Sequence, residues 1–336
     1  MIEEAIYRLT KKENLIEEIL RESFIDIIEG KASQAQIAAF LMGLTMKGET
    51  EDEILATVKF FREQAIKINA PEDAIDIVGT GGDKAGTFNV STATCFVVSS
   101  AGIPVAKHGN RSASSLCGSI DVLEELGIKV DMTPEQAEKC LYECGITVLF
   151  APLYHPAMKA VASVRRELKI RTVFNILGPM LNPAQVKRQL IGVFSKQYME
   201  TIVKVLLKLG SEDIMVIHSE DGLDEITVTA DTYVVRGKKD KIESYKIILQ
   251  DYGFKRVSLQ DIKGGDKKEN AKIILDILKG QRTPKTDMVI LNAAAALMLS
   301  GKAKDLKEGI EIAEDSIYSG KALAKFEQLK EFTNRL

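Results

Sequence analysis

Three stretches between residues 74 and 119 carry groups that favour bound phosphate. The apolar run Ala74-Ile75-Asp76-Ile77-Val78 reads as a buried strand and runs into Gly79-Thr80-Gly81-Gly82-Asp83, a loop with little side-chain bulk. Asn89-Val90-Ser91-Thr92 follows and has the character of a helix start. Lys107-His108-Gly109-Asn110-Arg111-Ser112-Ala113-Ser114-Ser115 then places two cations and three hydroxyls in nine residues. Backbone N–H groups uncovered by glycine, a helix N-terminus and a basic, hydroxyl-rich loop all attract phosphate oxygens. Together they point to a ligand with more than one phosphate group.

The common nucleotide motifs do not fit this loop. A dinucleotide fingerprint needs glycine at 79, 81 and 84, and position 84 is Lys84. A P-loop starting at Gly81 reaches Gly86, but Thr87 and Phe88 stand where lysine and a hydroxyl residue are required. A ligand-free strand-to-helix turn is the plain alternative, and the basic loop after the next strand weighs against it.

The segment resembles the anthranilate phosphoribosyltransferase family. GTGGD stands at 79–83, NVST at 89–92 and KHGNRSASS at 107–115. The likeness continues through HPAM (His155 to Met158), VRRELKIRT (Val164 to Thr172), FNILGP (Phe174 to Pro179) and DGLDE (Asp221 to Glu225). The resemblance implies transfer of a 5-phosphoribosyl group from phosphoribosyl pyrophosphate to the amine of anthranilate, an early step of tryptophan biosynthesis. A pyrimidine-nucleoside phosphorylase shares the fold and a Gly-rich loop, but is usually longer and lacks the DGLDE pairing. A non-enzymatic, nucleic-acid-binding relative should be basic, whereas this chain carries a net charge of −3.

The resemblance also implies a set of roles. Gly79, Gly82, Asp83, Thr87, Asn89, Val90, Ser91, Thr92, Lys107, His108, Gly109, Asn110, Arg111, Ser112, Ala113, Ser114, Ser115 and Ser119 would line the phosphoribosyl pyrophosphate pocket. Lys107, Arg111 and Ser119 are expected as its phosphate wall, with Lys107 a point charge on a loop. Asn89 is expected at a helix start, where it caps the helix, meets phosphate, or both. Ser91, Asp224 and Glu225 are the implied ligands of Mg2+, a pair of ions with the pyrophosphate. The two carboxylates are expected on an exposed turn, with Glu220 and Asp221 left as surface charge. Arg165 would grip the anthranilate carboxylate through a two-pronged contact. Gly79, Asn110 and His155 would line the same pocket, and Arg166 would pair with a surface carboxylate. No residue is singled out as a general base.

These residues need elements to hold them. Residues 3 to 68 read as helices only: Ile16, Ile19, Leu20, Phe24 and Ile27 recur at helical spacing, as do Ile37, Phe40, Leu41 and Leu44 after Ser33, a candidate N-cap. A further helix is expected over 51–68. From 74 onward short β-rich runs alternate with helices. Strands are expected at 75–78, 103–106, 147–150, 190–194, 214–218, 226–229, 233–236 and 244–249, and helices at 119–126, 134–143, 199–209 and 288–299. The pattern predicts an α/β fold with a central, mostly parallel sheet covered by helices, preceded by a small all-helical part. The region 234–249 is expected to be antiparallel, turning at Gly237-Lys238-Lys239-Asp240.

The resemblance divides the chain into a helical domain, 1–70, on which an inserted segment of about 155–185 packs, and a large α/β domain, 71–154 and 186–336. It implies hinges between them, a substrate cleft at their boundary and a homodimer formed through the helical domain. The chain of 336 residues, 45% hydrophobic and 28% charged, is long enough for both. Net negative charge gives no field for nucleic acid, and no apolar run approaches a membrane span. Met1 to Lys12 mixes Glu, Arg and Lys and does not resemble a leader. Cys95, Cys117, Cys140 and Cys144 form no recognisable disulfide framework, which favours a reduced, cytoplasmic protein.

Overall fold

The computed structural model describes residues 1–83, 85–112, 116–239 and 241–336. The chain opens with helices α1 (Ile2–Thr10), α2 (Glu17–Ile28), α3 (Gln34–Lys47) and α4 (Glu51–Glu63). Ser33 and Thr50 start α3 and α4 with reciprocal capping boxes to Gln36 and Glu53, which fix both entry points. The fourth helix ends at Glu63, five residues short of the expected 68; residues 65–71 run as irregular chain toward the sheet.

Among the described residues the strands are β1 (Ile75–Gly79), β2 (Val105–Gly109), β3 (Ile146–Phe150), β4 (Arg188–Gly192), β5 (Asp213–Ser219), β6 (Thr232–Lys238) and β7 (Lys241–Ile247). They form one sheet in the order β3-β2-β1-β4-β5-β6-β7. The strands from β3 to β5 in that order pair in parallel, and β6 and β7 are antiparallel. The hairpin between β6 and β7 pairs Gly237 with Ile242 and Lys238 with Lys241, so β6 runs into the first half of the expected turn. Asp240 in that turn lies outside the described residues.

The remaining helices are α5 (Val90–Ser100), α6 (Ser119–Glu125), α7 (Pro134–Cys144), the short α8 (Ala151–Tyr154), α9 (Lys159–Leu168), α10 (Phe174–Leu177), α11 (Met199–Lys208), α12 (Lys267–Leu278), α13 (Pro284–Ser300), α14 (Leu306–Tyr318) and α15 (Lys321–Arg335). The Ala-rich α13 is buried along nearly its whole length, because small side chains let α5, α14 and the sheet approach it closely.

Two apolar clusters result. One joins α5, α13 and one face of β1, β2 and β3. The other joins α1 to α4 with the segment 161–181, α11 and the opposite face of β4 and β5. Phe174 on α10 meets Phe24 and Phe61 at ring-centroid distances of 6.2 and 5.4 Å, and Arg62 Nε donates to the Met180 carbonyl at 2.7 Å. The middle segment is thus packed onto the N-terminal helices.

One expected strand is absent. Residues 226–229 are irregular: the N–H and carbonyl of Ile226 are both satisfied by the side-chain amide of buried Asn292 on α13, at 3.1 and 2.7 Å, in place of a ladder. The expected strand at 103–106 begins later and runs to Gly109. This register places Lys107 and His108 inside the sheet.

In β1, the chain departs through α5 to β2 on one side and later returns to β4 on the other. The carboxyl ends of β1 and β4 therefore flank the point where strand order reverses, the place where open α/β sheets bind ligands.

Candidate active site

At that point the turn carrying Asp224 lies across the strand ends. A Cβ on Gly79 would stand 2.5 Å from Asp224 Oδ2, and one on Gly192 would overlap the Asp224 carbonyl oxygen. Only glycine permits this approach. The Gly81 N–H donates to Asp224 Oδ2 at 2.7 Å, so the carboxylate is tied to the glycine loop.

Asp224 and Glu225 are not exposed. Asp224 is buried, and burial first, then the neighbouring Asp83, pushes its carboxyl up to about 7. Glu225 is raised well above its ordinary range by burial and by Asp224, with Lys107 and the Ser91 backbone opposing. The expectation of an exposed turn fails because the turn is pressed onto glycines. One Asp83 oxygen accepts from the Ala85 N–H at 3.1 Å; the other is buried without a partner. Acidic oxygens held together against their own repulsion call for a cation.

Lys107 is the cation that opposes the shift at Glu225. It is 3% exposed, and its Nζ donates to the Ile77 carbonyl at 3.2 Å and to Ser91 Oγ at 3.3 Å. It is a buried charge beneath the site, not a loop cation, because Lys107 belongs to β2. Ser91 stands in the first turn of α5. Asn89 occupies the N-cap position of α5 but makes no side-chain cap; its Nδ2 reaches the Cys117 carbonyl at 3.3 Å and its Oδ1 is buried without a partner. The capping half of the expectation is therefore corrected. Thr92 Oγ1 is likewise unpartnered, Val90 is core, and Thr87 forms an antiparallel bridge to Lys263.

Arg111 is paired elsewhere in this structure. Its guanidinium makes a two-pronged contact with Glu124, at 2.7 and 2.6 Å, and lies over the Phe150 ring. Ser112 donates its N–H to Asp121 at 3.0 Å. Ser119 opens α6, and its Oγ donates to the Asn110 carbonyl and packs close to Gly109. Ala113, Ser114 and Ser115 lie outside the described residues.

Arg165, expected at the anthranilate carboxylate, belongs to the middle segment. Arg165 on α9 lies over the Phe174 ring, 5.1 Å from its centroid, and burial lowers its pKa. Among the described residues it has no carboxylate partner. A half-buried guanidinium without a counter-charge is a ready receptor for a carboxylate. Arg166, expected in a surface pair, is exposed and makes no ion pair among the described residues.

His108 and His155 are buried with rings 5.1 Å apart, and burial lowers them to about 3 and 4, so both are neutral near pH 7. Glu220 pairs with Lys246 at 2.6 Å and Asp221 accepts from Ser219 and Thr229, as surface charges do.

Sequence reading passed over Arg171. Its guanidinium donates to the Gly82 carbonyl at 2.6 Å. Its place within the VRRELKIRT string was the available signal, but nothing in the spacing marked it from its neighbours.

Among the described residues no three His, Cys, Asp or Glu side chains form a ready-made metal cage. The donor set still suits Mg2+, which keeps waters and is commonly held by one or two carboxylates plus substrate phosphates.

Comparison with known proteins follows the same lines. A model of the "Glycosyl transferase family, a/b domain" matches residues 71–323, and one of the "Glycosyl transferase family, helical bundle domain" matches residues 3–65. An anthranilate phosphoribosyltransferase of Persephonella marina is 48% identical over 336 residues, covering 99% of each chain. The crystal structure of anthranilate phosphoribosyltransferase from Thermus thermophilus superposes with a TM-score of 0.92 at 38% identity, covering 98% of this chain and 99% of that one. The enzyme of Saccharomyces cerevisiae in complex with phosphoribosyl pyrophosphate and Mg gives 0.91 at 27% identity, over 100% and 98% of the two chains.

Proposed function

Because the chain belongs to the anthranilate phosphoribosyltransferase family, it transfers the 5-phosphoribosyl group of phosphoribosyl pyrophosphate to the amine of anthranilate, and we propose how its residues divide that work. The products are N-(5-phosphoribosyl)anthranilate and pyrophosphate.

The glycine loop, the start of α5 and the loop after β2 take the phosphoribosyl pyrophosphate. Arg165 takes the anthranilate carboxylate, with Gly79, Asn110 and His155 around the ring. The observation that carries this division is the Arg165 guanidinium on the helical side, without a carboxylate partner among the described residues, while crowded acids stand at the strand ends.

Magnesium, held by Ser91, Asp224 and Glu225 as a pair of ions with the diphosphate, would supply positive charge where the leaving group gains negative charge. The raised carboxyls of Asp224 and Glu225 support this, since a bound cation would favour their ionised forms. Lys107 supports the ionised acids from below. An arylamine is neutral near pH 7, so its lone pair attacks without a strong base, and neutral His108 and His155 are not required to remove a proton first. The anomeric carbon passes through a cation-like state with inversion. Positioning and charge stabilisation supply the rate.

The helical part with residues 155–185 and the α/β part would form two bodies hinged around the cleft, whose closure excludes water. The protein would act as a cytoplasmic homodimer joined through the helical part. Exposed Tyr7, Ile16, Met42 and Met46 on that part offer apolar contact, and among the described residues no helix is long and apolar enough to cross a membrane.

Replacing Asp224 and Glu225 together by Ala tests the metal assignment. Turnover is expected to fall at least about 100-fold, the scale of a lost charge-stabilising group. Turnover near wild type at saturating Mg2+ sinks the assignment.

A further inference from the structure

Arg171 sits in the irregular link between α9 and α10 and joins three segments. Its guanidinium donates to the Gly82 carbonyl at 2.6 Å and lies over the Phe194 ring, 3.9 Å from the centroid. The Phe194 N–H donates to Thr80 Oγ1 at 3.1 Å, and the Thr80 N–H donates to the Gly192 carbonyl at 2.9 Å. The middle segment, the glycine loop and the exit of β4 are thus fastened around one side chain. Among the described residues Arg171 has no carboxylate partner, so nothing competes for its charge.

The loop needs such a fastening. Gly81 and Gly82 hold φ of +65° and +80°, and glycine loses the most conformational freedom when fixed. Gly81 is tied through its N–H to Asp224, whereas among the described residues the Gly82 carbonyl is tied only by Arg171. In a trans peptide the carbonyl and the following N–H point in opposite directions. Anchoring the Gly82 carbonyl on Arg171 therefore aims the Asp83 N–H away from that guanidinium. Successive loop N–H groups with fixed directions make an anion-binding concavity.

We propose that Arg171 is a positioning residue that holds the glycine loop in its diphosphate-accepting form. It reads no part of anthranilate, although it lies six residues from Arg165 on the same segment. The inference rests on the assignment of this loop to phosphoribosyl pyrophosphate. Phe194 has a supporting part: its ring keeps the guanidinium flat beneath the loop, a contact in which arginine is favoured over lysine.

Steady-state titration of each substrate against the wild type, Arg171→Ala, Arg171→Lys and Phe194→Leu decides the matter. Arg171→Ala should raise KM for phosphoribosyl pyrophosphate about 10-fold or more, the scale of a lost charge-assisted hydrogen bond. KM for anthranilate should stay within about 3-fold and the melting temperature should hold, since no buried contact is lost. Arg171→Lys should recover part of the loss by restoring a donor without the guanidinium's contact on Phe194, and Phe194→Leu should fall between the wild type and Arg171→Ala. A wild-type KM for phosphoribosyl pyrophosphate in Arg171→Ala overturns the proposal. So does a parallel rise in both KM values that lysine fails to rescue. If the wild type itself does not respond to phosphoribosyl pyrophosphate, the substrate assignment falls and the proposal with it; an active wild type beside an indifferent Arg171→Ala removes the proposal alone.

Discussion

The roles proposed for Arg165 and Asp224 rest on charge left unsettled among the described residues. Arg165 is desolvated, lies over Phe174 and has no counter-charge among the described residues. Arg165→Ala removes a charge-assisted, two-pronged contact worth about 1.5–3 kcal/mol, hence a loss of roughly 10- to 150-fold in apparent affinity for anthranilate. The affinity for phosphoribosyl pyrophosphate should change far less, and equal losses in a titration of both substrates would mean that Arg165 orders the cleft in general. Asp224 gives a pH signature. Burial and Asp83 raise it to about 7, so its contribution to stability is fully present below the ordinary carboxylate range near pH 4 and is lost as pH rises toward 7. The ligand-free protein should lose on the order of a few kcal/mol over that window through this group. Asp224→Asn should flatten the fall in melting temperature, and an unchanged slope in calorimetry would contradict the buried, strained carboxylate.

Elements decide which sequence expectations held. The switch-point loop, the Ser33 cap, the parallel strands and the late buried helix were legible because apolar runs, glycine and capping residues act locally. The region 226–229 misled because its alternation is strand-like, while the side chain of Asn292, distant in sequence, takes its hydrogen bonds. Lys107 misled because its polar neighbours suggest a loop, whereas pairing with β3 extends β2 through Gly109. The Arg111–Glu124 contact was equally out of reach, since nothing in the spacing sets a loop cation against a helix residue of its own chain. Asn89 shows the same difference in energetic form. A capping Asn costs typically ~1 kcal/mol when replaced by Ala. Here the side chain does not cap α5, so Asn89→Ala should cost less than that in chemical denaturation while weakening phosphoribosyl pyrophosphate binding about tenfold. A full capping loss with unchanged binding would assign Asn89 to the helix alone.

At the scale of the molecule, the proposed phosphate side lies at the ends of β1, β2 and β4 of one sheet, and the proposed carboxylate side lies on a segment that packs against the N-terminal helices. Acids and a buried lysine are brought together from segments far apart in the chain, and Arg165 has no carboxylate partner among the described residues. The division of labour is therefore tested by supplying those ligands one at a time. Anthranilate fluorescence, followed continuously with purified protein, is the most direct measurement. The signal should decay only when phosphoribosyl pyrophosphate and Mg2+ are both present, with pyrophosphate released in equal amount. Fluorescence that persists under those conditions, or phosphate-dependent cleavage of thymidine or uridine by the same preparation, would contradict the account.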